Sequence, residues 1–306
     1  MSTYNDRNLN FLIIPTSMNI TILGAGAIGS LYGAKLSKFS NVTLVAKKRH
    51  ADKINKYGLR VIGLENNIYN LKATTKIKDI DNALVLLTTK VYDSKEAINS
   101  IKNLIKEGTT ILCLQNGLNS EDIVKEAVGN KCQVLRGITS FGAAYLEPGI
   151  ISCNNYGQTL IEKNAKSFAI AKLFSKCGLN SSVSNNIRRD MWRKLIMNCV
   201  LNPLTAILRV ENKYIANDRL NSLKKLVINE CLQVAEKDGF GFTEDFIKMI
   251  NNGIKNSANI SSMQQDLIKG KRTEIDYLNG AVVKLGEEYG IRCPVNQALV
   301  MIIRSI

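Results

Sequence analysis

Asn19-Ile20-Thr21-Ile22-Leu23-Gly24-Ala25-Gly26-Ala27-Ile28-Gly29 joins a β-branched apolar run to three glycines spaced Gly-x-Gly-x-x-Gly. The run is too short for a helix and reads as a strand. An amphipathic helical pattern follows to about Ser37. Strand, glycine turn and helix in that order form the phosphate-binding start of a dinucleotide fold. Gly24 permits the tight turn, Gly26 lets a pyrophosphate approach the backbone, and Gly29 lets helix and strand pack closely. Free N–H groups at the helix start then face the anion. The expected cofactor loop is therefore Gly24, Ala25, Gly26, Ala27, Ile28 and Gly29. The alternative is a glycine-rich turn with no ligand.

Working outward, Val42 to Ala46, Leu84 to Thr88, Thr110 to Leu114 and Val134 to Gly137 are further short apolar runs. Their near-continuous apolarity fits parallel strands covered on both faces. Strands alternating with helical segments predict a Rossmann-type, doubly wound α/β sheet. From about Asp190 the periodicity is helical, predicting an all-helical second domain. Thr243 is the expected cap of one helix, Ser262 with Gln265 forms a capping box for another, and a third is expected from about Thr273 to Tyr289. The expected division is an N-terminal extension 1–17, a nucleotide domain 18–185 and a helical domain 186–306.

Composition narrows the function. The chain has 306 residues, 45% of them apolar, and no run approaches the length of a membrane span. Seven scattered cysteines without a Cys-x-x-Cys pair, and one histidine (His50, expected at the surface), argue against a metal site or a disulfide scaffold. Reduced thiols and the lack of a signal pattern suggest a cytoplasmic protein. The net charge of +15 is spread along the chain without a nucleic-acid motif. It suits an enzyme whose cofactor and substrate are both anionic. No nucleic-acid or membrane partner is expected, and apolar faces in the helical half allow a homodimer.

The end of the second strand selects the cofactor. NAD-binding domains usually place Asp or Glu there, whereas this chain has Ala46-Lys47-Lys48-Arg49. Cations pair with a 2′-phosphate, so NADP is favoured, with Lys47 the chosen contact. A solvated basic turn is the alternative. Lys90 and Asn116 follow later strand ends, where ligands bind in open α/β sheets, although either could be an ordinary loop residue. In the helical half, Lys194, Asn198 and Asn202 recur every four residues. Each step of four drifts by about 40°, so the three share one helix face. That stripe suits a polyoxygenated anion; it also describes a solvated face.

With these blocks in view, the chain resembles the ketopantoate reductase family over nearly its whole length from Met18. The resemblance rests on the glycine loop, Thr89-Lys90, Gln115-Asn116-Gly117 and Gly137-Ile138-Thr139-Ser140. It continues through Trp192-Arg193-Lys194-Leu195, Asn198, Asn202-Pro203-Leu204-Thr205, Ser261-Ser262-Met263-Gln264-Gln265-Asp266 and Thr273-Glu274-Ile275-Asp276. It implies a Rossmann domain, a C-terminal domain like that of 6-phosphogluconate dehydrogenase, and an active site between them. The implied reaction is NADPH-dependent reduction of a small 2-keto acid, 2-dehydropantoate, to (R)-pantoate in pantothenate and coenzyme A biosynthesis. Lys194 matches the family's proton donor. Asn116, Asn198, Asn202, Asn212, Asn259, Ile260, Ser261 and Ser262 match or adjoin substrate-holding positions. Lys47, Lys90, Asn116, Gly142 and Glu274 fall on the cofactor side. Lys47 stands where the family often has arginine; lysine keeps the charge but loses the planar fork. Reduction of another branched 2-keto acid, or a non-catalytic NADP-binding regulator, are the alternative functions.

Overall fold

The structure, a computed structural model, describes residues 18–80 and 84–306. The expected extension 1–17 lies outside the described residues. The first half runs β1 (Asn19–Leu23), α1 (Ala27–Leu36), β2 (Asn41–Val45), α2 (Lys48–Tyr57), β3 (Leu59–Gly63), β4 (Asn67–Tyr69), β5 (Lys72–Thr74) and β6 (Leu84–Leu87). It continues with α3 (Ser94–Asn99), β7 (Thr110–Cys113), α4 (Ser120–Val128), β8 (Gln133–Thr139), β9 (Gly142–Glu147), β10 (Ile150–Asn155), β11 (Thr159–Glu162), α5 (Ser167–Lys176) and β12 (Ser181–Ser184).

Eight strands form the main sheet in the order β12-β11-β8-β7-β6-β1-β2-β5. Neighbours are parallel except at β8–β11. The order reverses around β1, between β2 and β6, and such a switch point opens a crevice beyond the strand ends. The register Leu23↔Leu87↔Cys113 brings the segments after β1, β6 and β7 out at one edge. There the glycine turn, Thr88 to Lys90 and Gln115 to Gly117 become neighbours. The α/β expectation holds, and sequence reading missed the four-stranded sheet β4-β3-β10-β9. Its strands mix polar with apolar residues, so continuous apolar runs do not mark them. Fully buried Tyr32 of α1 meets Phe141 edge-on, at 6.1 Å between ring centres, at the start of that sheet.

The second half holds α6 (Ile187–Leu208), α7 (Asn221–Lys237), α8 (Phe246–Ile254), α9 (Ser262–Ile268), α10 (Asn279–Glu288) and α11 (Pro294–Ser305). Asn186 caps α6 by accepting from the Arg189 N–H. Trp192 is fully buried in this helical core and donates to Asp238 Oδ2 at 2.7 Å. Leu118 and Ile138 of the first half join the same core. Three local expectations shift. Asp245 rather than Thr243 caps α8, and Ser261 rather than Ser262 caps α9, accepting from Gln264 N. The segment after Thr273 forms only a 3₁₀ turn, Ile275–Tyr277, and breaks at Leu278 (φ −108°, ψ −100°) before α10.

Candidate functional site

The glycine turn is tied to the end of β2, where Val45 O accepts from Ala25 N at 2.9 Å. Gly24 has φ +99°, and a Cβ there would lie 2.5 Å from Thr89 Cγ2. A Cβ on Gly29 would lie 2.4 Å from Thr88 Oγ1 and 2.6 Å from Gly24 O. The protein's own packing therefore requires both. Gly26 differs: φ is −79°, which any residue adopts, and a Cβ would meet nothing within 4 Å. Nothing among the described residues demands glycine there, whereas a pyrophosphate lying on the backbone would. No side chain caps α1 and its first turn has no acid, so Ala27, Ile28 and Gly29 offer N–H groups to an anion. These residues fit a dinucleotide. Lys47 is the exposed residue just before α2, and Lys48 beside it is engaged with Asp52 at 2.8 Å.

His50 is not at the surface; it is 2% exposed. Its Nδ1 accepts from Gly149 N at 2.8 Å, so Nε2 carries the proton and donates to Ser30 Oγ at 3.1 Å. Ser30 in turn donates to Ala25 O at 3.2 Å, within the glycine turn. Burial pushes the imidazole down to about 4, so it is neutral and structural.

Across the crevice, α6 delivers Lys194. Its Nζ donates to Asn116 Oδ1 and to Thr139 O, each at 2.8 Å. Burial lowers its pKa, the Arg136 charge lowers it further, and Glu274 only partly opposes them, leaving about 8. Asn198, half-buried, and Asn202, 5% exposed, follow on the same face. Neither side-chain amide is hydrogen-bonded among the described residues, so both remain available to a ligand. Thr205, one turn further, donates to Ser261 Oγ at 2.7 Å and docks the start of α9 on α6. Asn212 N donates to Asn259 O at 2.8 Å, and the Asn212 side-chain oxygen is buried without a partner among the described residues. Asn259 Nδ2 reaches Asn154 O on β10 at 3.3 Å, and Ile260 O accepts from Gln265 at 3.3 Å. Ser262 is exposed, free of the capping duty that Ser261 performs.

Lys90 and Glu274 meet directly. Lys90 Nζ lies 2.6 Å from Asp266 Oδ2 and 3.2 Å from Glu274 Oε2. Burial alone would lower the Lys90 pKa, but Glu274 and Asp266 outweigh it and hold the ammonium above its ordinary value. Glu274 also accepts from Val91 N at 3.2 Å and from Asn116 Nδ2 at 3.4 Å. Asn116 thus links Lys194 to Glu274. Gly142 opens β9, with Asn155 as the neighbour a Cβ would meet. Sequence reading assigned no role to Asp266, Thr139 or Arg136. The signal for Arg136 was a cation within an apolar strand run; the Thr139 carbonyl leaves no side-chain signature.

The chain is similar to known proteins in both sequence and fold. The family described as "Ketopantoate reductase PanE/ApbA" matches residues 20–166, and its C-terminal counterpart matches 186–306. A 2-dehydropantoate 2-reductase of Pyrococcus horikoshii is 37% identical over 296 residues, covering 94% of this chain and 97% of that one. The crystal structure of a PanE/ApbA family ketopantoate reductase from Ralstonia eutropha superposes with a TM-score of 0.85 at 29% identity, over 94% of this chain and 97% of that one. A D-mandelate dehydrogenase solved with NADH and anilino(oxo)acetate superposes with a TM-score of 0.87 at 28% identity, over the same shares.

Proposed function

Since the chain belongs to the ketopantoate reductase family of oxidoreductases, we propose that it reduces 2-dehydropantoate to (R)-pantoate with NADPH, Lys194 giving the proton. The nicotinamide, when bound, supplies the hydride that adds to the C2 carbonyl carbon. Negative charge then develops on the ketone oxygen. Lys194 Nζ donates to that oxygen, first as a hydrogen bond and then as a proton. The observation that carries the reading is this ammonium, held by Asn116 and Thr139 with a pKa near 8. An acid with such a value is charged at neutral pH yet gives up its proton readily. Asn198 and Asn202 hold the remaining substrate oxygens, with Asn212, Asn259, Ile260, Ser261 and Ser262 closing that side. The glycine loop holds the pyrophosphate, Lys47 the 2′-phosphate, and Lys90, Asn116, Gly142 and Glu274 the nicotinamide side. The working division is 18–185 for the cofactor and 186–306 for the substrate, meeting between β12 and α6. A cytoplasmic location and a homodimer belong to the same reading.

The test is oxidation of NADPH by purified protein with 2-dehydropantoate and a panel of other 2-keto acids. General-acid assistance is typically worth about 10²–10⁴ in rate, so Lys194→Ala should lose turnover by that order while still binding NADPH. Near wild-type turnover in that variant would reject the assignment. A second reading, another branched 2-keto acid with NADH, draws on the likeness to D-mandelate dehydrogenase. The keto-acid panel separates the two. Lys47→Ala separates the cofactors: a 2′-phosphate contact predicts a larger rise in the dissociation constant of NADPH than of NADH.

A further inference from the structure

Arg136 is a cation in the middle of β8 and is 3% exposed. The proposed reduction gives it no contact with substrate or cofactor, and a buried charge persists only where hydrogen bonds hold it. Its Nη2 donates to Gln115 O at 2.7 Å and to Gly117 O at 2.8 Å. Its Nη1 donates to Ser120 Oγ, and to Glu121 Oε2 at 3.3 Å. The two carbonyls that Nη2 grips are those on either side of Asn116. Gly117 has φ +82°, and a Cβ there would lie 2.4 Å from Tyr277 O. The turn is thus gripped by Arg136 below and pressed against the helical half above. Between those grips, the Asn116 amide has its oxygen on Lys194 and its nitrogen toward Glu274.

We propose that Arg136 is a positioning residue for the reduction, clamping the two carbonyls that flank Asn116 so that its amide oxygen holds the Lys194 ammonium at the ketone. This rests on the proton-donor reading of Lys194. A planar guanidinium suits the task because one nitrogen can serve both carbonyls while the other pairs with Ser120 and Glu121. A lysine would keep the charge and lose that fork. Charge gives a second, separable effect. Arg136 from β8 repels the Lys194 ammonium, and Glu274, ahead of the 3₁₀ turn, attracts it. Lys90 and Asp266 lie beyond Glu274 and pair with each other, while Glu121 on α4 pairs with Arg136.

Two variants separate geometry from charge. Arg136→Lys retains the charge without the fork. Arg136→Met combined with Glu121→Gln removes the charge without leaving a buried carboxylate unpaired. Thermal melts and NADPH binding establish that each is folded, and pH profiles of kcat and kcat/KM are then measured. Small misplacements at a reacting centre can cost about 10²-fold, so kcat should fall by that order in both variants, with a much smaller change in KM. The alkaline limb of kcat/KM should stay in place for Arg136→Lys. It should move to higher pH in the double variant, where Lys194 no longer faces a like charge. Wild-type kcat in folded Arg136→Lys overturns the clamp, and an unmoved limb in the double variant overturns the separate charge effect. Failure of both variants to fold would assign Arg136 to the fold alone and overturn both. Lys194→Ala, measured alongside, keeps the two ideas apart. If it retains turnover, the proton-donor reading fails; if it loses turnover while the Arg136 variants do not, only the clamp fails.

Discussion

Lys194 gives up water on entering the crevice and regains two neutral acceptors, Asn116 Oδ1 and Thr139 O. Neutral acceptors do not offset the loss of solvent around a charge, so the folded protein holds this proton less tightly than water would. The sign of the pH dependence follows. Below about 8 the group is protonated and able to donate; as pH rises through that value it becomes a neutral amine. In the direction of reduction, kcat/KM should therefore decline above about pH 8 with a single ionisation. The residual activity of Lys194→Ala should lack that limb, and a limb that survives the substitution would assign the ionisation elsewhere. The stripe Lys194-Asn198-Asn202 was legible because helical spacing alone puts the three on one face. Arg136 and Thr139 were not, since a strand residue becomes a neighbour of α6 only through tertiary packing. His50 was misplaced for a related reason. Cations surround it in sequence, and its burial shows only once α2 is known to start at Lys48, which sets His50, Ala51 and Ile54 on the inner face.

The β1–turn–α1 element contains three glycines retained for different reasons, and substitution separates them. Alanine at Gly29 drives a methyl into Thr88 and the Gly24 carbonyl, both backed by the sheet. Overpacking of that kind costs roughly 1–3 kcal/mol, so Gly29→Ala should lower the melting temperature by several degrees. Gly26→Ala enters open space on an ordinary backbone and should melt like wild type. It should nevertheless bind NADPH far more weakly, because the methyl occupies the face a pyrophosphate would use. Calorimetric melts and fluorescence titration distinguish the pair, and wild-type affinity in Gly26→Ala would remove the pyrophosphate from that face. This element was legible in sequence because its signal is local: apolar run, glycine spacing, helix. The sheet β4-β3-β10-β9 was not, because β3 and β10 lie far apart in the chain yet pair side by side. Caps and breaks shifted by a residue or two for the same local reason. Ser261 and Ser262 both qualify as caps by type, and only the docking of Ser261 onto Thr205 decides between them.

Across the whole molecule, the sheet half and the helical half meet over the crevice, and Lys90 is one of the charges that tie them. It leaves the end of β6 and reaches two carboxylates of the helical half, Asp266 and Glu274. Glu274 in turn grips the main chain at Val91 and the amide of Asn116. One small cluster therefore sets the distance between the nucleotide edge of the sheet and the helix that carries Lys194. The sequence resemblance implies a cofactor-side role for Lys90 and Glu274, but their mutual contact is a property of the folded chain alone, spanning 184 residues of sequence. Lys90→Met leaves two acids facing each other without a cation. Removing one partner of a fully buried pair costs about 3–5 kcal/mol, and exposed pairs are worth about 0–1. The Lys90 side chain keeps 31% of its exposure, against 12% for Asp266 and 6% for Glu274, which puts the cost between those limits. A melting temperature lowered by several degrees is expected at neutral pH. Adding Asp266→Asn and Glu274→Gln to Lys90→Met should restore much of it, because the stranded charges are then gone. A single variant that melts like wild type would show that the two halves are held by the shared apolar core around Leu118 and Ile138, with the ion cluster serving only the ligand.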